Sequence, residues 1–263
     1  MKKLIALLLV TCLLAGCAKP EESPSSSKAS STPPSSSSPS STPVATGARN
    51  IPKTATAPTI DGTKDGTEWN NALEVDISKD KMMYGLDKED KNSKLGDSKI
   101  YFMWDDAGLY YLADVTDGSK PASAPAFGGP LNSGDGIQLN VYASGTSEYL
   151  EGTQTMFFSM HPKTSNGQAD SYEHFTIKGQ LEGAQQKATF GSDGTSYVLE
   201  GMIPWSVFIK AKVNGYQGNF NGEAGQSIWM MLVIMDMNGS QQYLLSDTQW
   251  ATPSQTNEYV LAA

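Results

Sequence analysis

Residues 99–117 read KIYFMWDDAGLYYLADVTD, two apolar and aromatic runs separated by Asp105-Asp106-Ala107-Gly108. Both runs carry strand signals, and the junction predicts a β-hairpin turn, with Gly108 available for a positive φ. The same arrangement recurs downstream. GIQLNVYA, TQTMFFSM, EHFTIKGQL and NEYVLA read as strands. QKATFGS is joined to SYVLEGMI through Asp193-Gly194, and SIWMMLVIMD to QQYLLS through Asn238-Gly239. Closely spaced strands with glycine-bearing turns predict an all-β, jelly-roll-like antiparallel sandwich. Only PWSVFIKAK looks helical, with Pro204 suited to the first helical position. The charged stretch DKMMYGLDKEDKNSKLGDSK is expected to be a loop.

Alternation assigns faces. In GIQLNVY the residues Ile137, Leu139 and Val141 point into the core, and Gln138, Asn140 and Tyr142 point the other way. That second set is uncharged amide and phenol, which suits either a solvated face or one that hydrogen-bonds hydroxyl groups. Trp104 shares a face with Ile100 and Phe102, as core does, and Trp229, among methionines and valine, is likewise expected to be buried.

The chain begins MKKLIALLLVTCLLAGCAKP: two lysines, an apolar run and small residues before Cys17, the layout of a secretory signal. Leu14-Ala15-Gly16-Cys17 resembles the bacterial lipobox, which implies cleavage after residue 16 and diacylglyceryl modification of Cys17; ordinary signal-peptidase cleavage is the alternative. Residues 17–48 are expected to be a disordered linker that starts at the lipidated cysteine; from Pro20 to about Pro43 they are nearly all serine, proline and small polar residues, which cannot bury enough apolar area to fold and form a tether with a reach of about 80 Å when extended. The single folded domain is expected over 49–263, a lipid-anchored monomer on the bacterial cell surface or the outer face of the membrane. It contains no cysteine, which excludes disulfides and thiolate chemistry. A net charge of −9, with no dense block of lysine and arginine, gives no footprint for nucleic acid.

Chemistry has few candidates. His161 and His174 lack metal-ligand spacing and are expected in surface or loop positions. Asp135, Glu200 and Asp236 lie on or beside strands and offer the carboxylates that a glycan-degrading hydrolase needs, although turn caps use the same residues. Met156, Met160, Met202, Met230, Met231, Met235 and Met237 allow a haem-binding redox module, but the attachment motif is missing and core filling is the simpler use, so no haem is expected. Calcium is the cofactor expectation, with Asp117 and Asp135 at strand ends as candidates. A transporter's solute receptor needs long α/β stretches that are absent.

Several segments, in order, resemble the carbohydrate-binding modules of family 9, a DOMON-like β-sandwich. They are APTIDGTKDGTEWNNA (57–72), the hairpin 99–117, GDGIQLNV, YVLEGMIPW (197–205), VIMDMNGSQQ and WATPSQTNEYVL. The resemblance implies a non-catalytic module that binds a poly- or oligosaccharide in a slot between two tryptophans. Trp250 matches the tryptophan of the terminal loop. The other falls near FGGPLNSGD, where this chain has Leu131 and Phe127. A family carboxylate that bonds sugar hydroxyls falls at Gln138, with Asn140 on the same face, and the family calcium carries over to Asp117. The family's arginine has no counterpart in TQTMFFSM. Trp69, Trp104 and Trp205 match positions inside motifs rather than ligand contacts.

Overall fold

The computed structural model describes residues 48–84, 93–125, 133–142, 155–173, 179–210, 220–248 and 256–263. In chain order they form β1 (Arg49–Ile51), β2 (Leu73–Asp76), β3 (Met83–Tyr84), β4 (Lys99–Trp104), β5 (Gly108–Val115), β6 (Gly136–Tyr142) and β7 (Thr155–His161). There follow β8 (Asp170–Glu173), β9 (Gly179–Gln180), β10 (Gln185–Phe190), β11 (Tyr197–Pro204), α1 (Trp205–Lys210), β12 (Ser227–Asn238), β13 (Gln241–Ser246) and β14 (Asn257–Leu261). One sheet has five strands in the order β10-β11-β5-β4-β2. The other has nine, running β1-β14-β12-β6-β7-β8-β9, with β13 and β3 attached beside β12. All pairings are antiparallel except β1 with β14, so the expected antiparallel sandwich is present.

The inner faces alternate as anticipated. Ile100, Phe102 and Trp104 of β4 and Leu109, Tyr111, Ala113 and Val115 of β5 join Ile137, Leu139 and Val141 of β6 in one buried core. Met156, Phe158 and Met160 of β7 and Ile228, Met230, Leu232 and Ile234 of β12 complete it. Each such side chain contributes about 1.5–3 kcal/mol on burial. Three of the methionines named above thus fill core, and Met231 and Met235 are buried as well.

The outer face of the five-stranded sheet is also apolar. Tyr101, Met103, Tyr110 and Leu112 form a second cluster, closed by Ile60, Trp69 and Ala72 of the opening segment. One buried carboxylate fastens that cover. Glu200 Oε2 accepts the N–H groups of Asp61 (2.9 Å) and Gly62 (2.8 Å), and Oε1 accepts the Trp69 indole N–H (3.0 Å). Gly62 must be glycine: its φ is +83°, and a Cβ would lie 2.9 Å from the Ala188 nitrogen. Removing the carboxylate would leave buried donors unpaired at about 1–3 kcal/mol each.

Two local expectations need correction. Gly108 does not adopt a positive φ; Asp105 Oδ1 makes the turn by accepting the Ala107 N–H at 2.7 Å. Glycine is required at 108 because a Cβ would meet the Ile203 carbonyl at 2.3 Å. Pro204 is not the first helical residue: it ends β11, opposite Gly108, and the helix starts at Trp205. The charged loop contains the short strand β3 and a 3-10 turn at Lys79–Lys81, and EHFTIKGQL contributes Glu173 to β8 and Gly179–Gln180 to β9, with 174–178 outside the described residues.

Candidate functional site

The outer face of the nine-stranded sheet differs from that of its partner. Its apolar cluster, Met231, Val233, Met235 and Leu244, is buried as well, and among the described residues it is made of the sheet itself. Beside this cluster, β6 carries Gln138 opposite Val233 and Asn140 opposite Met231. The other edge of β6 sets Gln138 against Ser159 and Asn140 against Phe157. Gln138 and Asn140 therefore turn away from the core as alternation requires. Neither is solvated, however: they are 1% and 0% exposed. The Ser159 hydroxyl donates to Gln138 Oε1 at 3.0 Å, and Gln138 Nε2 donates to Asn140 Oδ1. This oriented row ends on Asn140 Nδ2, a buried donor without a partner. An unmet buried donor costs about 1–3 kcal/mol, so a ligand oxygen placed there would recover what the fold leaves unused.

The tryptophans divide in a way that the sequence reading missed. Trp69, Trp104 and Trp205 are 5%, 1% and 4% exposed. Their indole N–H groups are satisfied by Glu200, the Ala262 carbonyl and the Asp105 carbonyl, respectively. Trp229, expected to be buried, is instead only partly buried. It lies on β12 between β6 and β14, in register with Tyr142 and Glu258, and alternates with the core residues Ile228 and Met230. It faces outward because the neighbours that suggested burial, Met231 and Val233, are themselves on the outer face. Trp250, Leu131, Phe127 and His174 lie outside the described residues.

The stems on either side of 249–255 are tied together. Asp247, just beyond β13, accepts the Leu232 N–H and the Asn257 side-chain amide, both at 2.8 Å, and pairs with Arg49 at 3.2 Å. Burial pushes the Asp247 carboxyl up, against the hydrogen bonds and the Arg49 charge that favour its ionised form. None of this trio was singled out in the sequence, because residues 49, 247 and 257 meet only through the pairing of β1, β12, β13 and β14.

The carboxylates sort into two separate places. Asp117, Asp135 and Asp236 are all buried, and oxygens from the three lie within 4.8 Å of one another. Asp117 follows β5 in the five-stranded sheet, whereas Asp135 precedes β6 and Asp236 is on β12, so the cluster joins the two sheets. The turn-cap reading is also realised: Asp117 Oδ1 accepts the Ser119 N–H (2.7 Å), and Asp135 Oδ2 accepts the Ala122 N–H (2.5 Å). Asp236 Oδ2 takes the Lys94 N–H (2.9 Å), while its Oδ1 is buried with no partner. Burial first, then the charges of Asp117 and Asp236, push the Asp135 carboxyl up to about 8. Burial likewise raises Asp236.

Glu200 belongs elsewhere. It is on β11 between Leu199 and Ile203, which face the core, and fastens the cover on the outside of the five-stranded sheet. Glu200 and the aspartate cluster are therefore on opposite sides of that sheet and do not face one another across an open cleft, as paired hydrolytic carboxylates must. His161 also departs from expectation. It is buried at the end of β7, its Nδ1 lies 2.9 Å from the Asp135 carbonyl, and its ring is beside Tyr172. A hollow of about 390 Å³ on the outside of the five-stranded sheet is lined by Lys64, Glu74 and Tyr101, but Lys64 is already bonded to the Tyr101 hydroxyl and to Asp114.

A two-sheet sandwich whose larger sheet bears, on its outer face, a buried amide with an unmet donor and an outward, partly buried indole is a β-sandwich of the ligand-binding-module class. A family model described as carbohydrate family 9 binding domain-like matches residues 60–259, and the chain belongs to that family. Among solved structures it is similar to a family 9 carbohydrate-binding module from Caldicellulosiruptor kristjanssonii in complex with glucose. The identity is 17% and the TM-score 0.53, over 81% of this chain and 96% of that one. The complex of such a module from the same organism with cellotriose gives 17% identity and a TM-score of 0.52, over 81% and 94% of the two chains. A candidate carbohydrate-binding protein from Bacteroides uniformis is similar at 10% identity and a TM-score of 0.51, over 81% and 97%. No curated protein sequence matches the chain.

Proposed function

We propose that this chain is a non-catalytic glycan-binding module whose ligand lies against the outer face of the nine-stranded sheet. The observation that carries the reading is the hydroxyl-amide-amide row Ser159-Gln138-Asn140, which ends on an unmet donor in a chain of this family. Uncharged amides suit sugar hydroxyls, and an indole offers a flat apolar surface to the C–H face of a pyranose. Trp250 is the residue proposed as one stacking wall. Where related modules use a carboxylate, Gln138 can both donate and accept, which favours a neutral ligand and binding that is insensitive to salt.

The Asp117, Asp135 and Asp236 side chains fit a hard divalent cation, and calcium is the proposed occupant. Three carboxylates supply the oxygen ligands it prefers, and the unpaired Asp236 Oδ1 is the orphaned atom that such an ion would satisfy. The ion would neutralise a buried cluster that otherwise retains a proton near neutral pH, and would pin the two sheets at one end.

Display is the remaining part of the proposal. Lipidation of Cys17 and the serine- and proline-rich stretch 17–48 would hold the module on the outer surface of a bacterial membrane, clear of the bilayer. Cys17→Ser is expected to shift the protein from the membrane fraction to the soluble fraction; full retention in the membrane would count against lipid anchoring.

A glycan array probed with the full-length protein should show binding to neutral oligosaccharides. Trp250→Ala should then weaken that binding by about 2 kcal/mol, roughly thirtyfold, in titration calorimetry. Unchanged affinity sinks the assignment of Trp250. Calcium at about a hundred times its dissociation constant should add about 2.7 kcal/mol of stability, and a domain of this size gains about 2–4 °C in Tm per kcal/mol. Differential scanning calorimetry with calcium and with chelator reads this directly. The response should vanish in Asp236→Asn, and a chelator-treated protein with the same Tm as the calcium-loaded one refutes the ion.

A further inference from the structure

We propose that Trp229, on strand β12, is a second stacking wall of the glycan site, with Glu258 as a hydrogen-bond acceptor and the free amide of Asn140 as a donor beside it. The inference rests on the glycan-binding reading above and goes further, because it takes the missing wall from the sheet itself rather than from Leu131 or Phe127.

Three independent features of the structure meet at this place. First, Trp229 is the one described tryptophan that is not buried, and no acceptor for its indole N–H stands among the described residues. An indole that served only as packing would follow the other three, each buried and each with its N–H satisfied. Second, Glu258 of β14 is directly opposite Trp229. Directly paired side chains on one face of a sheet have their Cβ atoms about 4.5–5.5 Å apart, so carboxylate and indole are immediate neighbours. Ser227 donates its hydroxyl to Glu258 Oε1 at 2.6 Å, which orients the carboxylate and leaves Oε2 to accept from a ligand hydroxyl.

Third, Asn140 is the diagonal neighbour of Trp229 on the other side, being paired with Met231, two residues along β12. Diagonal pairs remain within reach of a long aromatic side chain. Asn140 Nδ2 is buried and unpartnered on that face, and Asn140 Oδ1 is engaged by Gln138, so the N–H is the hydrogen-bonding group that this amide leaves unused. Acceptor, flat apolar surface and donor thus lie in sequence across β14, β12 and β6. A pyranose needs the same order of groups, with its ring C–H face on the indole and equatorial hydroxyls reaching out on either side. The ligand class assigned is a neutral oligosaccharide with an unsubstituted equatorial hydroxyl on both sides of the stacked ring.

The test uses the full-length protein and a panel of glucose, cellotriose, xylotriose and mannotriose, read by titration calorimetry. Trp229→Ala should weaken the tightest-bound member at least tenfold, Trp229→Phe should restore most of that loss, and Asn140→Ala should cost threefold to tenfold. To separate binding from any effect of alanine on the sheet, wild-type protein is also oxidised with N-bromosuccinimide, and its tryptophans are mapped by mass spectrometry. Trp229 should be modified faster than Trp69, Trp104 and Trp205, and saturating sugar should protect it. Binding by wild type that Trp229→Ala leaves unchanged, or no protection of Trp229 by a bound sugar, overturns this assignment alone. If wild type binds no member of the panel or of a wider glycan array, the glycan-binding reading and this assignment fall together.

Discussion

Strand β12 is apolar on both faces, and the rest of the molecule follows from that constraint. Ile228, Met230, Leu232 and Ile234 enter the sandwich core, while Met231, Val233 and Met235 gather on the opposite side. A central strand of this kind cannot leave either face to water without losing roughly 25 cal/mol for each Å² of apolar surface it exposes. The five-stranded sheet meets the same problem on β4 and β5 and solves it with its own chain, folding Ile60, Trp69 and Ala72 over the outer cluster. On the outer face of β12, Met231, Val233 and Met235 are buried too, beside the buried amides of β6, and Trp229 at one end is partly buried. The two sheets thus have outer faces of different character, one closed by a buried carboxylate and one carrying groups whose bonding is incomplete.

Electrostatics serves that architecture. Glu200 is buried because Asp61, Gly62 and Trp69 each give it a hydrogen bond, and its work is to hold a cover in place. Asp247 is buried on similar terms, with Arg49, Asn257 and the Leu232 N–H around it. The cluster of Asp117, Asp135 and Asp236 is different, since like charges gather there with one oxygen unpaired. Buried carboxylates in this protein are therefore fasteners between segments distant in sequence. That explains why Asp135, Glu200 and Asp236 resembled catalytic candidates in the sequence, yet Asp135 and Asp236 meet in a buried cluster while Glu200 stands apart from them.

Much of the fold was legible beforehand, because strand period and turn chemistry are local. Both hairpin junctions, at Asp193-Gly194 and Asn238-Gly239, and the facing of Ile137, Leu139 and Val141 against Gln138 and Asn140 required only alternation. The family resemblance, carried by ordered motifs, agrees with the family that matches 60–259. What escaped was everything decided by register between distant strands. Composition around Trp229 suggested core, yet the period-2 rule applied to SIWMMLVIMD places Trp229, Met231 and Val233 together opposite Ile228, Met230 and Leu232, so the signal was present and was overridden by hydrophobic neighbours. His161 reads as polar, and only the fold brings it to the Asp135 carbonyl. The meeting of Asp236 with Asp117 and Asp135, and of Arg49 with Asp247, had no local signature at all.

In the proposed binding mode, ligand occupies the outer face of the nine-stranded sheet and leaves the outer face of the five-stranded sheet untouched. The most direct measurement is a titration of isotope-labelled protein with a bound oligosaccharide, followed by the NMR signals of the assigned tryptophan indole N–H groups and the Asn140 side-chain amide. The Trp229 indole and Asn140 amide resonances should move together and saturate at the same sugar concentration, while those of Trp69, Trp104 and Trp205 stay in place. Movement of Trp69, which lies under the cover fastened by Glu200, with Trp229 and Asn140 unchanged, would contradict it.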